Sequence, residues 1–366
     1  MKYNYSRKRL LHFCLFCIVA VVASCKKDTV SPASGTTSVV APVTFGLYEY
    51  ASGADKRIFI PLTKVGTQSV SYLEVFDTGS NGMTLDATDI LPSTMFSSSG
   101  IQVTGDSVVV NGITVTSQQS VVSYGSASSP TKAYGNLAYT NITIGDGNGS
   151  LSIKRVPFFI YYKATDGSGT QLAAHSLDVF GVGPGTSAAS SLIASPLSYY
   201  SPGTGLTKGF KLAVLNAADF NTSVTYVAGL LTIGLTQADI SSSGFILHPL
   251  TYYASGGYSP DIPATITYNG TSTSAEVLFD TGTPSISIIE DKTANSIGEL
   301  PASSVVSVTT NQGFTFKYTV TSTDNLTEVE NPNKTGDFRT IFSLDFFISN
   351  EFLTDYTDNK IGLKNN

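Results

Sequence analysis

The chain of 366 residues contains no tryptophan, three cysteines and three histidines, and Asp, Glu, Lys and Arg together make up only 13% of it. Each shortage excludes a class of chemistry. Cys14, Cys17 and Cys25 all fall in the first 25 residues, so the rest of the chain holds neither a disulfide nor a thiol nucleophile and must be stabilised by its core. Beyond that stretch the only histidines are His175 and His248, which stand in no metal-ligand spacing; no metal and no cofactor are expected. A G-x-S-x-G elbow that would present a serine nucleophile does not occur. With 21 basic against 27 acidic residues the net charge is −6, and no basic stripe is present, which argues against a nucleic-acid partner. "GDGNGS" at residues 145–150 lacks the spaced carboxylates of a calcium loop, and "GVGPG" at 181–185 opens no βαβ unit of the dinucleotide-binding kind.

One long apolar run exists, "LLHFCLFCIVAVVA" at residues 10–23, behind a basic stretch with Lys2, Arg7, Lys8 and Arg9. It is too short for a comfortable membrane span and reads as a secretory leader. Val22-Ala23-Ser24-Cys25 resembles the bacterial lipobox. That resemblance implies a signal peptide over residues 1–24, removal before Cys25, and a lipid anchor on Cys25. Lys26 and Lys27 follow in place of the Asp that would hold such a protein at the inner membrane, which points to an outer-membrane lipoprotein facing the periplasm or the cell surface. Residues 25–42, rich in Ser, Thr and Pro without apolar period, then read as a flexible tether.

The remainder is rich in Val, Ile, Thr, Tyr and Phe, with 33 glycines and 15 prolines. Short alternating runs such as "RIFIPLTKV", "SYLEVF", "SVVVNGITVTS", "AEVLFD" and "FTFKYTVTS" recur between turn clusters, the pattern of an all-β protein with many short strands. Asn111-Gly112 and Asn269-Gly270, each between β-forming runs, predict two-residue hairpin turns. Helical periodicity is scarce.

Within this pattern one phrase occurs twice: "EVFDTGS" at residues 74–80 and "VLFDTGT" at 277–283, placing Asp77 and Asp280 203 positions apart. An Asp at a buried strand end, followed by Thr and Gly, presents a carboxylate at a tight turn that a second backbone can approach closely. Two such turns brought together give two carboxylates that cannot easily both ionise and so share a proton. One then acts as base on a water while the protonated partner polarises a carbonyl. Thr78, Gly79, Ser80, Thr281, Gly282 and Thr283 read as the supports, with the threonines bracing the loops and Ser80 and Thr283 donating to the carboxylates.

These residues resemble those of the pepsin-type aspartic peptidases, and the resemblance covers nearly the whole chain after the tether. "IPLTKVGTQSVSYLEVFDTGS" resembles the family's opening. "VVSYGSASS" resembles the flap hairpin, with Tyr124, Gly125 and Ser126 at its tip. "LDVFGVGPG" is similar to the apolar-apolar-Gly element behind the first loop, at Val179-Phe180-Gly181. "IFSLDFFISNEFLTDYTDNKIGL", residues 341–363, resembles the closing segment. The resemblance implies a bilobal fold of two pseudo-symmetric β-barrel lobes, over residues 43–220 and 221–366, with a cleft between them. It also implies an endopeptidase acting on extended polypeptide, working as a monomer. The chain departs from the pattern in five respects. No tryptophan braces Tyr124, "DTGSNGMTL" lacks the aromatic after the first loop, and the paired disulfides of secreted relatives are absent. The tether of residues 26–42 is too short and too poor in basic residues to resemble the inhibitory prosegment, and Ser343 stands where the second apolar-apolar-Gly element has Gly, which predicts looser packing behind Asp280. Two other readings follow from the residues: a catalytically silent pepsin-like binding protein, and an unrelated all-β lipoprotein that binds at a surface.

Overall fold

The structure, a computed structural model, describes residues 40–125, 129–295 and 297–366. The leader, Cys25, nearly all of the tether and Ser126 lie outside the described residues. Over the described residues the chain is built from strands, with short helical turns such as Gln237–Ser241 and Pro332–Thr335 between them.

Local sequence explains the strands. Along Asp55–Val65 the side chains of Ile58, Ile60 and Leu62 are fully buried at every second position, the period of a strand with one face on the core. Both expected Asn-Gly turns form: Asn111 and Gly112 have φ of 52° and 74°, and Asn269 and Gly270 have 46° and 80°. Only residues tolerant of the left-handed region sit easily there, so the dipeptide sets the hairpin register Val110↔Ile113 and Tyr268↔Thr271.

The strands form two large sheets. An eight-stranded sheet in the second half contains Ile262–Tyr268, Thr271–Phe279, Ser287–Glu290, Thr327–Glu330 and Arg339–Phe342. A 14-stranded sheet holds the first half. In it Asp55–Val65 pairs with Val43–Ser52, with Gln68–Asp77 and also with Thr131–Asp146, so the sheet curls back on itself. The same sheet runs on through Thr225–Leu235 and Thr207–Leu212 to the last strands, Asn350–Asp355 and Lys360–Asn365. The last strands of the chain thus return to the sheet of the first half, while among the described residues the eight-stranded sheet has no strand pairing with it. Phenylalanines pack the second lobe: Phe279 packs on Phe346 with ring centroids 4.2 Å apart and on Phe342 at 5.7 Å, and Phe316 meets Phe346 edge-on at 5.0 Å. Lys56 reaches from the first lobe to Asp345 at 2.8 Å and Asp324 at 3.1 Å in the second.

Two carboxyl groups are buried without compensation. Glu49 and Glu74 are fully buried, and neither oxygen of either has a hydrogen-bond partner among the described residues. Burial, with the charge of Asp219 adding to it, pushes the Glu49 carboxyl up to about 8, and burial lifts Glu74 well above the carboxylate range. A carboxyl raised in the folded state contributes stability that is full below its unfolded value and is lost as pH rises through the folded one. For Glu49 that window runs from about 4.5 to about 8. Melting temperature is predicted to fall between pH 5 and pH 8, and Glu49→Gln to reduce that fall by roughly 3–6 °C, measured by differential scanning calorimetry.

Candidate active site

Asp77 closes the strand Gln68–Asp77, and Asp280 directly follows the strand Thr271–Phe279. Behind each runs a parallel strand. Val179–Val182 pairs in the register Val179↔Val75, Phe180↔Phe76 and Gly181↔Asp77. Arg339–Phe342 pairs as Leu278↔Ile341 and Phe279↔Phe342. Both loops are thus delivered by the same construction, one from each lobe.

Where they meet, the threonines cross. Thr78 N–H donates to Thr281 Oγ1 at 3.0 Å, and Thr281 N–H donates to Thr78 Oγ1 at 3.0 Å. Each hydroxyl in turn donates to a carbonyl of the opposite lobe, Thr78 to Phe279 O at 2.8 Å and Thr281 to Phe76 O at 2.6 Å. Both side chains are buried, so the buried amides and carbonyls at the strand ends find partners only across the lobe boundary. The glycines then allow contact. A Cβ on Gly79 would lie 2.5 Å from Asp280 Cγ, and one on Gly282 would lie 2.5 Å from Asp77 Cγ. Each carboxylate therefore rests on the other loop's glycine, and any side chain there would drive the two apart.

The carboxylates are held by their own loops. Asp77 Oδ1 accepts from Gly79 N–H at 2.8 Å and Ser80 N–H at 2.9 Å, and Asp280 Oδ1 accepts from Gly282 N–H at 2.7 Å. Thr283 Oγ1 donates to Asp280 Oδ2 at 2.6 Å, as its sequence position suggests. Ser80 differs, contributing its backbone only. Its buried hydroxyl has no hydrogen-bond partner among the described residues and is turned toward Gly181 on the strand behind. Burial, then the charge of Asp280 and a hydrogen bond with it, lift the Asp77 carboxyl well above the usual range, against the pull of the Gly79 N–H. The two aspartates thus lie against each other's loops, a placement in which like charges oppose each other.

Ser343 does not loosen the site. It is fully buried, its N–H donates to Ser287 Oγ at 3.1 Å, and its hydroxyl donates to Ser285 O at 3.2 Å. On either side of it, Asp280 N–H donates to Phe342 O at 2.9 Å and Leu344 N–H to Thr283 O at 3.0 Å. The expectation of looser packing is corrected: a serine fits because its N–H and hydroxyl each donate to a neighbouring serine.

A hairpin from Ile113–Tyr124 and Thr131–Asp146 overhangs the pair. Val122, Ala133, Leu137 and Phe159 form an apolar cluster beneath it, against which Tyr124 packs. The Tyr124 hydroxyl lies 2.7 Å from Thr84 Oγ1, so a threonine on the strand Asn81–Asp86 supplies the brace that no tryptophan provides. Gly125 follows with φ of 80°. Below lies a cleft of about 590 Å³ lined by Asp77, Asp280, Gly79, Gly282, Ser80, Thr283, Tyr124 and Gly125, within the usual range for ligand sites.

Sequence reading missed Arg57. Its guanidinium lines this cleft, donates to Gly282 O from the other lobe, and lies in the field of both aspartates. The available signal was a cation just ahead of a buried apolar run in a chain with few charges. Glu290, Glu330, Asp337 and Arg339 also line the cleft and were not singled out. The threonine crossing makes a direct prediction. Thr78→Val leaves the Thr281 N–H and Phe279 C=O buried and unpaired, and is expected to cost about 3 kcal/mol of stability, whereas Thr78→Ser costs under about 1 kcal/mol. Urea denaturation of the two variants against wild type measures the difference.

No family model and no curated protein matches the chain. Among solved structures, the aspartic proteinase from Irpex lacteus superposes with a TM-score of 0.56 at 18% identity, over 89% of this chain and 97% of that one. Basic 7S globulin from soybean superposes with a TM-score of 0.54 at 13% identity, over 89% and 96%. One neighbour bears a proteinase's name and the other a globulin's, so the likeness speaks to architecture and leaves activity to be argued from the site. Two sheet-rich β lobes, each giving one Asp-Thr-Gly loop to a shared cleft, give this chain the pepsin-type fold.

Proposed function

We propose that the chain is an aspartic endopeptidase. The observation that carries this reading is the facing carboxylate pair, Asp77 and Asp280, each seated on the other loop's glycine at the floor of the cleft. With one proton on the pair, the ionised carboxylate takes a proton from a water as its oxygen attaches to the peptide carbonyl carbon. The protonated carboxyl gives its proton to the carbonyl oxygen. In the collapse of the resulting gem-diol the C–N bond breaks, the amide nitrogen leaves with the proton from the pair, and a gem-diol hydroxyl gives its proton to the pair, which returns to one proton as the new carboxyl forms. The hairpin ending in Tyr124 offers an edge along which an extended polypeptide lies by strand-like hydrogen bonds.

The geometry weighs against a purely binding role, because the two departures that suggested one, the absent tryptophan and Ser343, are each met by hydrogen bonds. One chain supplies both carboxylates, so a monomer suffices. The same reading has the protein held at a bacterial outer membrane by lipid on Cys25; this rests on the sequence from Lys2 to Lys27.

Two measurements check the reading. Peptide-library cleavage between pH 3 and 7 is expected to be lost, by more than about 1,000-fold, in Asp77→Ala and in Asp280→Ala, and to be blocked by pepstatin. A folded wild-type chain that cuts nothing across that range contradicts it. Arg57, whose charge favours ionised carboxylates, sets the working window. Arg57→Gln is expected to move the pH–rate profile upward by roughly half a unit to one unit, and an unmoved profile removes Arg57 from the mechanism.

A further inference from the structure

The second lobe's side of the cleft carries a carboxylate pair that the proposed chemistry does not use. Glu290 and Glu330 end two adjacent parallel strands, Ser287–Glu290 and Thr327–Glu330, and are direct partners in the register. Like charges directly opposite each other destabilise a sheet. Glu290 is only 4% exposed, its Oε2 has no hydrogen-bond partner among the described residues, and it lines the cleft. Its other oxygen accepts from Thr335 Oγ1 at 3.1 Å. The nearest cation of the cleft wall, Arg339, is engaged by Asp337 through two hydrogen bonds of 3.0 and 2.7 Å, so it does not neutralise the glutamates.

The approach to this pair is apolar. Leu278, Ile341 and Ile288 occupy neighbouring strands, with Ile341 paired to both of the others, and all three line the cleft. At about 4.8 Å per strand, Glu290 sits roughly 10 Å across the sheet from the strand that delivers Asp280. An aliphatic ledge ending in desolvated carboxylates matches a side chain with an apolar stem and a cationic head. Among the described residues no three His, Cys, Asp or Glu side chains are grouped to hold a metal ion, so the complementary cation is an organic one.

We propose that Glu290 and Glu330 form a specificity pocket for a lysine or arginine side chain of the polypeptide, within three residues of the scissile bond. This rests on the reading of the cleft as a polypeptide site. Burial, and then the charge of Glu330 against the pull of Thr335, push the Glu290 carboxyl up to about 7, with Asp337 adding to the rise. A bound ammonium or guanidinium would offset the negative charge that burial and Glu330 make unfavourable on Glu290.

The test uses matched decapeptides in which each position in turn is Lys, Arg, norleucine or Glu. Cleavage is measured with the wild-type chain, and binding is measured by fluorescence anisotropy with its Asp77→Asn variant. Lys or Arg is expected to exceed norleucine by at least about tenfold at one position, in kcat/KM and in affinity. The ratio is expected to fall to within about twofold in Glu290→Gln/Glu330→Gln, and at least about threefold in Glu330→Gln, where only the half-buried partner changes. Lys and norleucine peptides cut or bound equally, or a preference that survives the double replacement, overturn the pocket and leave the peptidase reading standing if cleavage occurs. A Glu-dependent preference in binding without any cleavage upholds the pocket and overturns the peptidase reading. A chain that neither cuts nor binds these peptides overturns both.

Discussion

The site depends on two threonine hydroxyls that each serve the opposite lobe. Thr78 and Thr281 exchange hydrogen bonds with each other's amides and then reach the carbonyls of Phe279 and Phe76. The groups they satisfy are buried strand ends, which water does not reach and which their own loops leave unpaired. Bringing the lobes into this register is therefore the condition for burying those ends at all. Once it is met, Gly79 and Gly282 fix how closely the aspartates approach.

Holding a carboxylate pair in a buried place is costly, and the surroundings show how it is borne without disulfides. The loops give each aspartate backbone donors. A stack of phenylalanines, from Phe279 through Phe342 and Phe346 to Phe316, fills the space behind Asp280. Lys56 ties the first lobe to Asp345 beside that stack, a buried ion pair whose separate charges would be strongly unfavourable. Arg57, the next residue, turns into the cleft and bonds the Gly282 carbonyl. Two consecutive cations of one strand thus serve the second lobe, one for cohesion and one beside the aspartates.

Much of the architecture was legible in the sequence because its causes are local. Alternation in "RIFIPL" gives the strand, Asn-Gly gives the hairpins, and the repeated Asp-Thr-Gly gives the two loops. What was not legible is long-range. Thr84 braces Tyr124 from 40 positions away, and no local pattern marks it as the stand-in for an aromatic. Arg57 and Gly282 are 225 positions apart, and Glu290 meets Glu330 only because their strands are parallel neighbours. Ser343 was misjudged for a related reason: a buried serine is unfavourable when its hydroxyl lacks partners, and those partners, Ser285 and Ser287, belong to another strand and its approach. The return of the last strands to the sheet of the first half likewise depends on pairings such as Phe210↔Thr354, which strand periodicity does not specify.

The central claim is that Asp77 and Asp280 are one coupled unit. Carbon-13 NMR of Asp-labelled protein, following the Asp77 Cγ resonance through a pH titration in wild type and in Asp280→Asn, tests it most directly. The account predicts an Asp77 titration well above the ordinary aspartate range in wild type, falling when the charge of Asp280 is removed. An Asp77 that titrates like an exposed aspartate, unmoved by the change at residue 280, would contradict it.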